Sequence, residues 1–390
     1  MTDRARSWLF VSAVSGFGGH EVMLLRWLEE LEKDEGGARP RLLARQGSRL
    51  LARASESVRY RTFAPQATVA ARGAWRSLSH ELQVLRHAVR ELRPACVIVA
   101  SGALGQHVPH VLLLRLLGTA VLLYVPLLGT FVSMGYRRGA WKDRFVRWFY
   151  AKVPCGWVAI TQAQADEFCA WAQPTGRVFV LPNTVASSIE QAPRVVPRAL
   201  MPDQPLLVLV LGRLEPHQKG LDMLLAHLAQ APPEDVAGLH FRIVGDGDYK
   251  TRIEELLHAQ PALARIVELQ PWASAQHVIV ESDVLLLTSR FEGVPLVMLE
   301  AMALGVPVVS SDLPGTSPYV PASTRFAVGD MRAALAILRG LRPVELRRAL
   351  ARSGRQTFEA HASGRAFAEH VRRLGHEIRT HFSLDEGAAT

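Results

Sequence analysis

The sequence predicts an α/β protein built as two doubly wound domains. Short apolar runs alternate with helical patterns along its whole length, a proline-rich stretch interrupts that rhythm near the middle, and 390 residues exceed one ordinary domain. In the first half, strands are expected at Trp8–Val14, Val58–Phe63, Cys96–Ala100, Ala120–Val125, Trp157–Ile160 and Val178–Leu181. Helical periodicity fills the gaps at His20–Lys33, Ala74–Leu92, Trp141–Lys152 and Ala163–Trp171. Pro182, Pro193, Pro197, Pro202 and Pro205 then mark a linker composition. The rhythm restarts with strands at Leu206–Leu211, Phe241–Val244, Ile266–Leu269, Val284–Leu287 and Val306–Val309. Helices are expected at Gly220–Ala229, Tyr249–Ala259 and Pro295–Leu304, with an arginine-rich helical region beyond residue 330 and a frayed end. The domains are therefore set at 1–185 and 206–365, joined by a linker at 186–205, with a last helix over 366–390 that can cross back to the first domain. Two such sheets joined by a hinge would place a ligand cleft between the carboxyl ends of their strands.

The apolar run Val111–Leu128 invites a membrane reading, yet Arg115 sits inside it, Gly118 breaks it and Pro126 lies near its end. A span needs about 20 apolar residues and is penalised by a central arginine. A buried helix (Val108–Leu117), a Gly118 stop and a buried strand explain the run better. The first apolar run, Trp8-Leu9-Phe10-Val11, is too short for a secretory signal. Cys96, Cys155 and Cys169 form neither a metal spacing nor a disulfide framework, which fits a reducing, cytoplasmic setting.

Charge divides the chain. Residues 1–200 carry 26 Lys/Arg against 14 Asp/Glu, and residues 201–390 carry 19 against 22, so a basic half (+12) meets a mildly acidic one (−3). Arg39, Arg41, Arg45, Arg49, Arg53, Arg59, Arg61, Arg72 and Arg76 face only Glu56. Nucleic acid, anionic lipid or a phosphorylated acceptor would each suit this surface, as would plain solvent. No aromatic-interleaved basic motif or zinc-finger spacing supports nucleic acid.

Three loops carry candidate chemistry. Ser15-Gly16-Phe17-Gly18-Gly19-His20-Glu21 follows the first strand and opens a helix, a place where glycines let amides approach an anion. Gly212-Arg213-Leu214-Glu215-Pro216-His217-Gln218-Lys219-Gly220 follows the first strand of the second domain. Arg213 and Lys219 there can neutralise a departing pyrophosphate without a metal. Ser289-Arg290-Phe291-Glu292-Gly293-Val294-Pro295-Leu296-Val297 leads into a helix carrying Glu300. Pro295 suits the first helical turn, the amides around Gly293–Val297 are free for anionic or hydroxyl oxygens, and Glu300 can accept hydrogen bonds from a ribose diol. Asp246-Gly247-Asp248 has the look of a metal motif, but its place after a strand reads as a tight turn. Neither a His-Glu-x-x-His pair nor an assembled Ser/His/Asp set is present.

Taken together, the second half resembles the retaining glycosyltransferases of family 4. The matching stretches are Gly212-Arg213-Leu214 to Lys219-Gly220, Ile243-Val244-Gly245-Asp246-Gly247, Glu292 and Glu300 with seven residues between them, Glu300-Ala301-Met302-Ala303 and Gly305-Val306-Pro307-Val308-Val309. Leu181-Pro182-Asn183 is similar to the end of the family's first domain. The resemblance implies the GT-B fold, two Rossmann-like domains facing a central cleft. It implies that Arg213 and Lys219 hold the donor diphosphate, Glu300 the ribose and Glu292 the donor sugar. Gly293, Val294, Pro295, Leu296 and Val297 would line the sugar and phosphate site, Trp272 the base pocket, and Gly18 and Gly19 the opposite side.

The expectation is a metal-independent, cofactor-free retaining glycosyltransferase using a nucleotide-diphosphate sugar, with a saccharide or lipid-linked saccharide as acceptor. It would work in surface polysaccharide or lipopolysaccharide assembly, in the cytoplasm and peripherally at an anionic membrane, without nucleic acid. Two alternatives stay open: a nucleotide-sugar epimerase or hydrolase of the same fold, and a silent nucleotide-sugar-binding scaffold. The second arises because Leu127-Leu128-Gly129 stands where many family members carry a histidine.

Overall fold

The computed structural model describes residues 7–12, 18–33, 39–45, 48, 50–51, 54, 60–63 and 74–383. The chain divides into two compact units, residues 184–366 and residues 1–183 joined by 367–390.

The first unit holds a seven-stranded parallel sheet of β1 (Ser7–Ser12), β2 (Arg39–Arg45), β3 (Tyr60–Phe63), β4 (Cys96–Ala100), β5 (Ala120–Tyr124), β6 (Gly156–Ala159) and β7 (Arg177–Val180). Their order is β3-β2-β1-β4-β5-β6-β7, so the winding reverses between β1 and β4. β1, β4 and β5 are continuous apolar runs because helices cover both faces, as parallel sheets require. Beside them lie the helices Gly19–Lys33, Ala74–Leu92, Val108–Leu116, Gly139–Trp148 and Gln162–Ala172. The last helix, Gly364–His381, contributes its residues from Phe367 onward, with Glu377 paired to Arg177 at 2.9 Å.

Strand β2 was not expected, since the arginines alternating through it read as surface charge. Leu42, Leu43 and Ala44 between them are fully buried, in register with Phe10, Val11 and Ser12 of β1. Of the basic stretch, Arg49, Arg53, Arg59 and Arg72 lie outside the described residues, as do Ala13, Val14, Val58 and the loop residues Ser15-Gly16-Phe17. The run Val111–Leu128 resolves into the helix Val108–Leu116, Gly118 at φ +71° and β5. Among the described residues no helix is long and apolar enough to cross a membrane.

The second unit repeats the plan with β8 (Leu206–Leu211), β9 (Leu239–Val244), β10 (Val267–Gln270), β11 (Val284–Leu287), β12 (Val308–Ser311) and β13 (Arg325–Phe326). Its order, β10-β9-β8-β11-β12-β13, reverses between β8 and β11. β12 starts two residues later than the expected Val306 because Gly305, at φ +83°, ends the preceding helix and Pro307 has no N–H for the ladder. That helix covers Leu296–Leu304, and Pro295 caps it from outside with extended ψ of 123° instead of joining its first turn. In the second unit a recess lies at that reversal, the place where open α/β sheets bind ligands.

Candidate functional site

The loops leaving β8 and β11 flank the reversal point of the second sheet. They line one recess, which includes Gly212, Arg213, Lys219, Thr288 and Ser289. The two loops are stitched together by the backbone. Arg290 N–H donates to the Gln218 carbonyl at 2.8 Å, and the Thr288 hydroxyl donates to the Lys219 carbonyl at 2.8 Å. Gly220 sits at φ +67°, and a Cβ there would fall 2.2 Å from the Thr288 carbonyl oxygen, so only glycine allows this approach. Arg290 reinforces the join with a bidentate pair to Asp222 at 2.8 and 2.7 Å and a bond to the Pro216 carbonyl at 2.8 Å. Glu215 caps the short helix Pro216–Lys219 by accepting from the amides of His217 and Gln218.

This scaffold brings Lys219 against Glu292. The lysine Nζ lies 2.5 Å from Glu292 Oε1, which also accepts from the Ser289 hydroxyl at 2.8 Å, while Gln218 Nε2 donates to Oε2 at 3.3 Å. The pair is well sheltered, with side-chain exposures of 21% for lysine and 8% for glutamate. A carboxylate offers about four lone-pair sites; three are filled here, and the remaining one belongs to Oε2. Arg213 stands exposed at the rim of the same recess, and its guanidinium makes no hydrogen bond or ion pair to any described residue. A cation at a strand end without a side-chain partner among the described residues is available for an anion.

The third part is the N-terminus of Leu296–Leu304. Met298 and Leu299 N–H groups turn back to the Pro295 carbonyl, whereas the amides of Leu296 and Val297 reach no acceptor among the described residues. Pro295 itself has no N–H, so the expected run of amides from Gly293 to Val297 narrows at that position. Gly315 fixes the approach to this helix, because a Cβ at Gly315 would overlap the Gly293 carbonyl outright. Glu300 lies one turn into the helix, among buried Leu299, Ala301 and Met302, and its carboxyl hydrogen-bonds to no described residue. Burial pushes its carboxyl up to about 7.

Other expected positions are more loosely placed. Trp272 follows β10, is 58% exposed and does not line the recess. Gly18 and Gly19 start the first helix, and Gly18 N–H is already donated to the Glu21 carboxylate at 2.7 Å, the N3 half of a capping box. Asp246 and Gly247 form a structural turn: Asp246 Oδ1 accepts from Gly247 N–H, and its carbonyl accepts from Leu214 N–H at 2.8 Å. Among the described residues no three His, Cys, Asp or Glu side chains are grouped to hold a metal ion.

Sequence reasoning missed the roles of Ser289, Gln218, Arg290, Asp222 and Gly315. Pairings between residues some seventy positions apart leave no mark in the spacing of either. It also missed a polar group in the first unit. There Arg45 donates to Glu81 Oε1 at 2.6 Å, His110 Nε2 lies 3.5 Å from Glu81 Oε2, and the rings of His107 and His110 meet edge to face.

Residues 205–339 match the family model of glycosyl transferases group 1. Over 115 residues the chain is 34% identical to the lipopolysaccharide 1,6-galactosyltransferase of Salmonella typhimurium, a stretch covering 28% of this chain and 31% of that protein. The chain spans about a third of the length of the curated relatives it matches. Among solved structures it is similar to Anabaena HepE in complex with UDP-glucose, with a TM-score of 0.72 and 16% identity over 96% of this chain and 99% of that one. It is also similar to the apo form of the lipopolysaccharide outer core galactosyltransferase WaaB, with a TM-score of 0.65 and 18% identity over 95% and 99%. The fold is therefore GT-B-like, with two Rossmann-like parallel α/β domains.

Proposed function

We propose that this chain is a retaining glycosyltransferase that moves a sugar from a nucleotide-diphosphate donor to an acceptor hydroxyl, with no metal and no cofactor. The observation that carries the reading is the recess at the β8–β11 reversal, which Arg213 and Lys219 line, with Glu292 paired to that lysine and the amides of Leu296 and Val297, at the start of the next helix, without an acceptor among the described residues. The nucleotide would be bound by the second unit, with its ribose hydroxyls donating to Glu300. Arg213, Lys219 and the amides of Leu296 and Val297 receive the diphosphate. The free lone pair of Glu292 Oε2 accepts from a donor-sugar hydroxyl, and Gly293 and Val294 shape the wall beside it. Trp272 is assigned to the base side, and Gly18 and Gly19 to the first unit's approach.

In the reaction the bond from the anomeric carbon to the diphosphate breaks, and the acceptor oxygen bonds to that carbon on the same face. The acceptor proton passes to the departing phosphate oxygen. The chain's residues bind, orient and stabilise the charge growing on the diphosphate; none forms a covalent intermediate. The similarity to a lipopolysaccharide galactosyltransferase supports an acceptor from bacterial surface polysaccharide or lipopolysaccharide assembly, saccharide or lipid-linked, met in the cytoplasm at the inner face of a membrane.

The test is a thermal-shift panel of UDP, GDP, ADP and dTDP, followed by product analysis with the matching nucleotide-sugar, with and without acceptor. One diphosphate should raise the melting temperature, and nucleotide release should require the acceptor. Donor conversion without acceptor would identify an epimerase or hydrolase. Binding without any turnover across acceptors would identify a scaffold.

A further inference from the structure

The helix Gly139–Trp148 in the first unit carries an exposed face that the donor chemistry does not use. Trp141 is 70% exposed and Trp148 72%, and Arg144 is exposed between them at helical spacing i, i+3, i+7. Arg137, Arg138 and Arg147 are exposed alongside, and Tyr136 and Val132 extend the surface through the loop before the helix. That loop is pressed onto the helix start, since a Cβ on Gly139 would lie 2.8 Å from the Phe131 carbonyl carbon and the Val132 nitrogen. Val146, on the opposite face, is buried in the core of the unit, and Phe145, one turn on from Trp141, packs partly against that core. Stacking runs outward from there, because Phe145 lies 6.3 Å from Trp141 and 5.5 Å from Phe149.

The charge is one-sided. Between residues 131 and 152 the sequence has Arg137, Arg138, Lys142, Arg144, Arg147 and Lys152 against the single acid Asp143. Asp143 lies across the helix from Trp141 and Trp148 and is tied to the preceding loop, accepting from the amides of Phe131 at 2.7 Å and Val132 at 3.1 Å, so this segment's one carboxylate is not on the tryptophan face. Exposed indoles interleaved with arginines on a helix anchored from behind match the interfacial zone of a bilayer. There an amphipathic ring sits at head-group depth while guanidinium groups meet lipid phosphates.

We propose, resting on the peripheral placement suggested above, that this face docks the enzyme on an anionic lipid surface, with Trp141 and Trp148 inserted at head-group level and Arg144 and Arg147 on the phosphates. The occupant is a bilayer rather than a second copy, because a self-complementary contact would set this cationic face against itself.

The test is co-sedimentation of the full chain with vesicles of phosphatidylcholine alone or with about one-third phosphatidylglycerol, together with tryptophan quenching by brominated lipid. Wild type should bind the anionic vesicles, lose binding as salt rises to about 0.5 M, and show quenched indole emission. Each reversal, Arg144→Glu or Arg147→Glu, should weaken partitioning about fivefold or more. Trp141→Ala with Trp148→Ala should abolish quenching and lower partitioning further. The diphosphate thermal shift should survive in all these variants, which certifies their folding and keeps a failure of the donor reading separate. Unchanged partitioning in the variants, equal binding to neutral vesicles, or a wild-type dimer that the tryptophan variant dissolves would overturn the proposal.

Discussion

Glu300→Gln separates stability from function in opposite directions. The wild-type carboxyl rises from an ordinary 4.5 to about 7 because burial disfavours its charged form. Below pH 4.5 it is protonated both folded and unfolded, and it costs nothing. As pH rises, the unfolded chain releases this proton first while the folded chain keeps it, so the folded state binds more protons and stability falls. The loss is complete once pH passes about 7. A shift of that size corresponds to about 3 kcal/mol. Glutamine mimics the protonated acid in shape and carries no charge to desolvate. The variant should therefore match wild type near pH 4.5 and exceed it by up to about 3 kcal/mol near pH 8, or roughly 6–10 °C in melting temperature for a unit of this size.

Nucleotide binding should respond the other way. In the proposed reading ribose hydroxyls donate to the ionised carboxylate, in which case affinity in wild type should rise through pH 7 with proton release. Glu300→Gln should lose about tenfold or more in affinity near pH 8, together with that pH dependence. Urea melts across pH, paired with calorimetric titration of the preferred diphosphate, read both effects. A variant less stable than wild type near pH 8 would show that the Glu300 carboxyl is not kept protonated by burial, and undiminished nucleotide affinity would show that it does not hold the ribose.

Other perturbations follow from the same geometry. Lys219→Met leaves the sheltered Glu292 carboxylate without its cation and should cost about 3 kcal/mol, most of it recovered in the double variant with Glu292→Gln, as urea melts of the four proteins would show. Arg213→Ala should leave stability within about 0.5 kcal/mol because the side chain is exposed and unpartnered. The same change should lower diphosphate affinity about tenfold or more while leaving affinity for the bare nucleoside unchanged. Gly220→Ala forces a side chain into φ +67° and against the Thr288 carbonyl, and should cost about 2–4 kcal/mol in the same melts.

The legible part of the fold was the part carried by uninterrupted apolar runs. β4, β8 and β11 stand at their expected residues because both faces are covered and every position is apolar. β2 was hidden because a strand whose arginines alternate with buried Leu42 and Ala44 has the composition of a basic surface. β13 was hidden by its length of two residues. At the site, the loops could be found because glycine, proline and charge at strand ends have local causes. The Lys219–Glu292 contact could not, since its cause is the packing of two loops through Gly220 and Thr288. The sequence therefore suggested separate tasks for a lysine and a glutamate that the fold has made partners. The exposure of Trp141 and Trp148 was likewise not legible, because residue type alone does not reveal which side of a helix faces solvent.

The most direct measurement is a crystal structure of the protein with its preferred nucleoside diphosphate. The diphosphate oxygens should lie within about 3 Å of the Arg213 guanidinium and of the Leu296 or Val297 amides, with the ribose diol on Glu300. A nucleotide seated elsewhere, or one whose diphosphate meets neither Arg213 nor those amides, would contradict this placement.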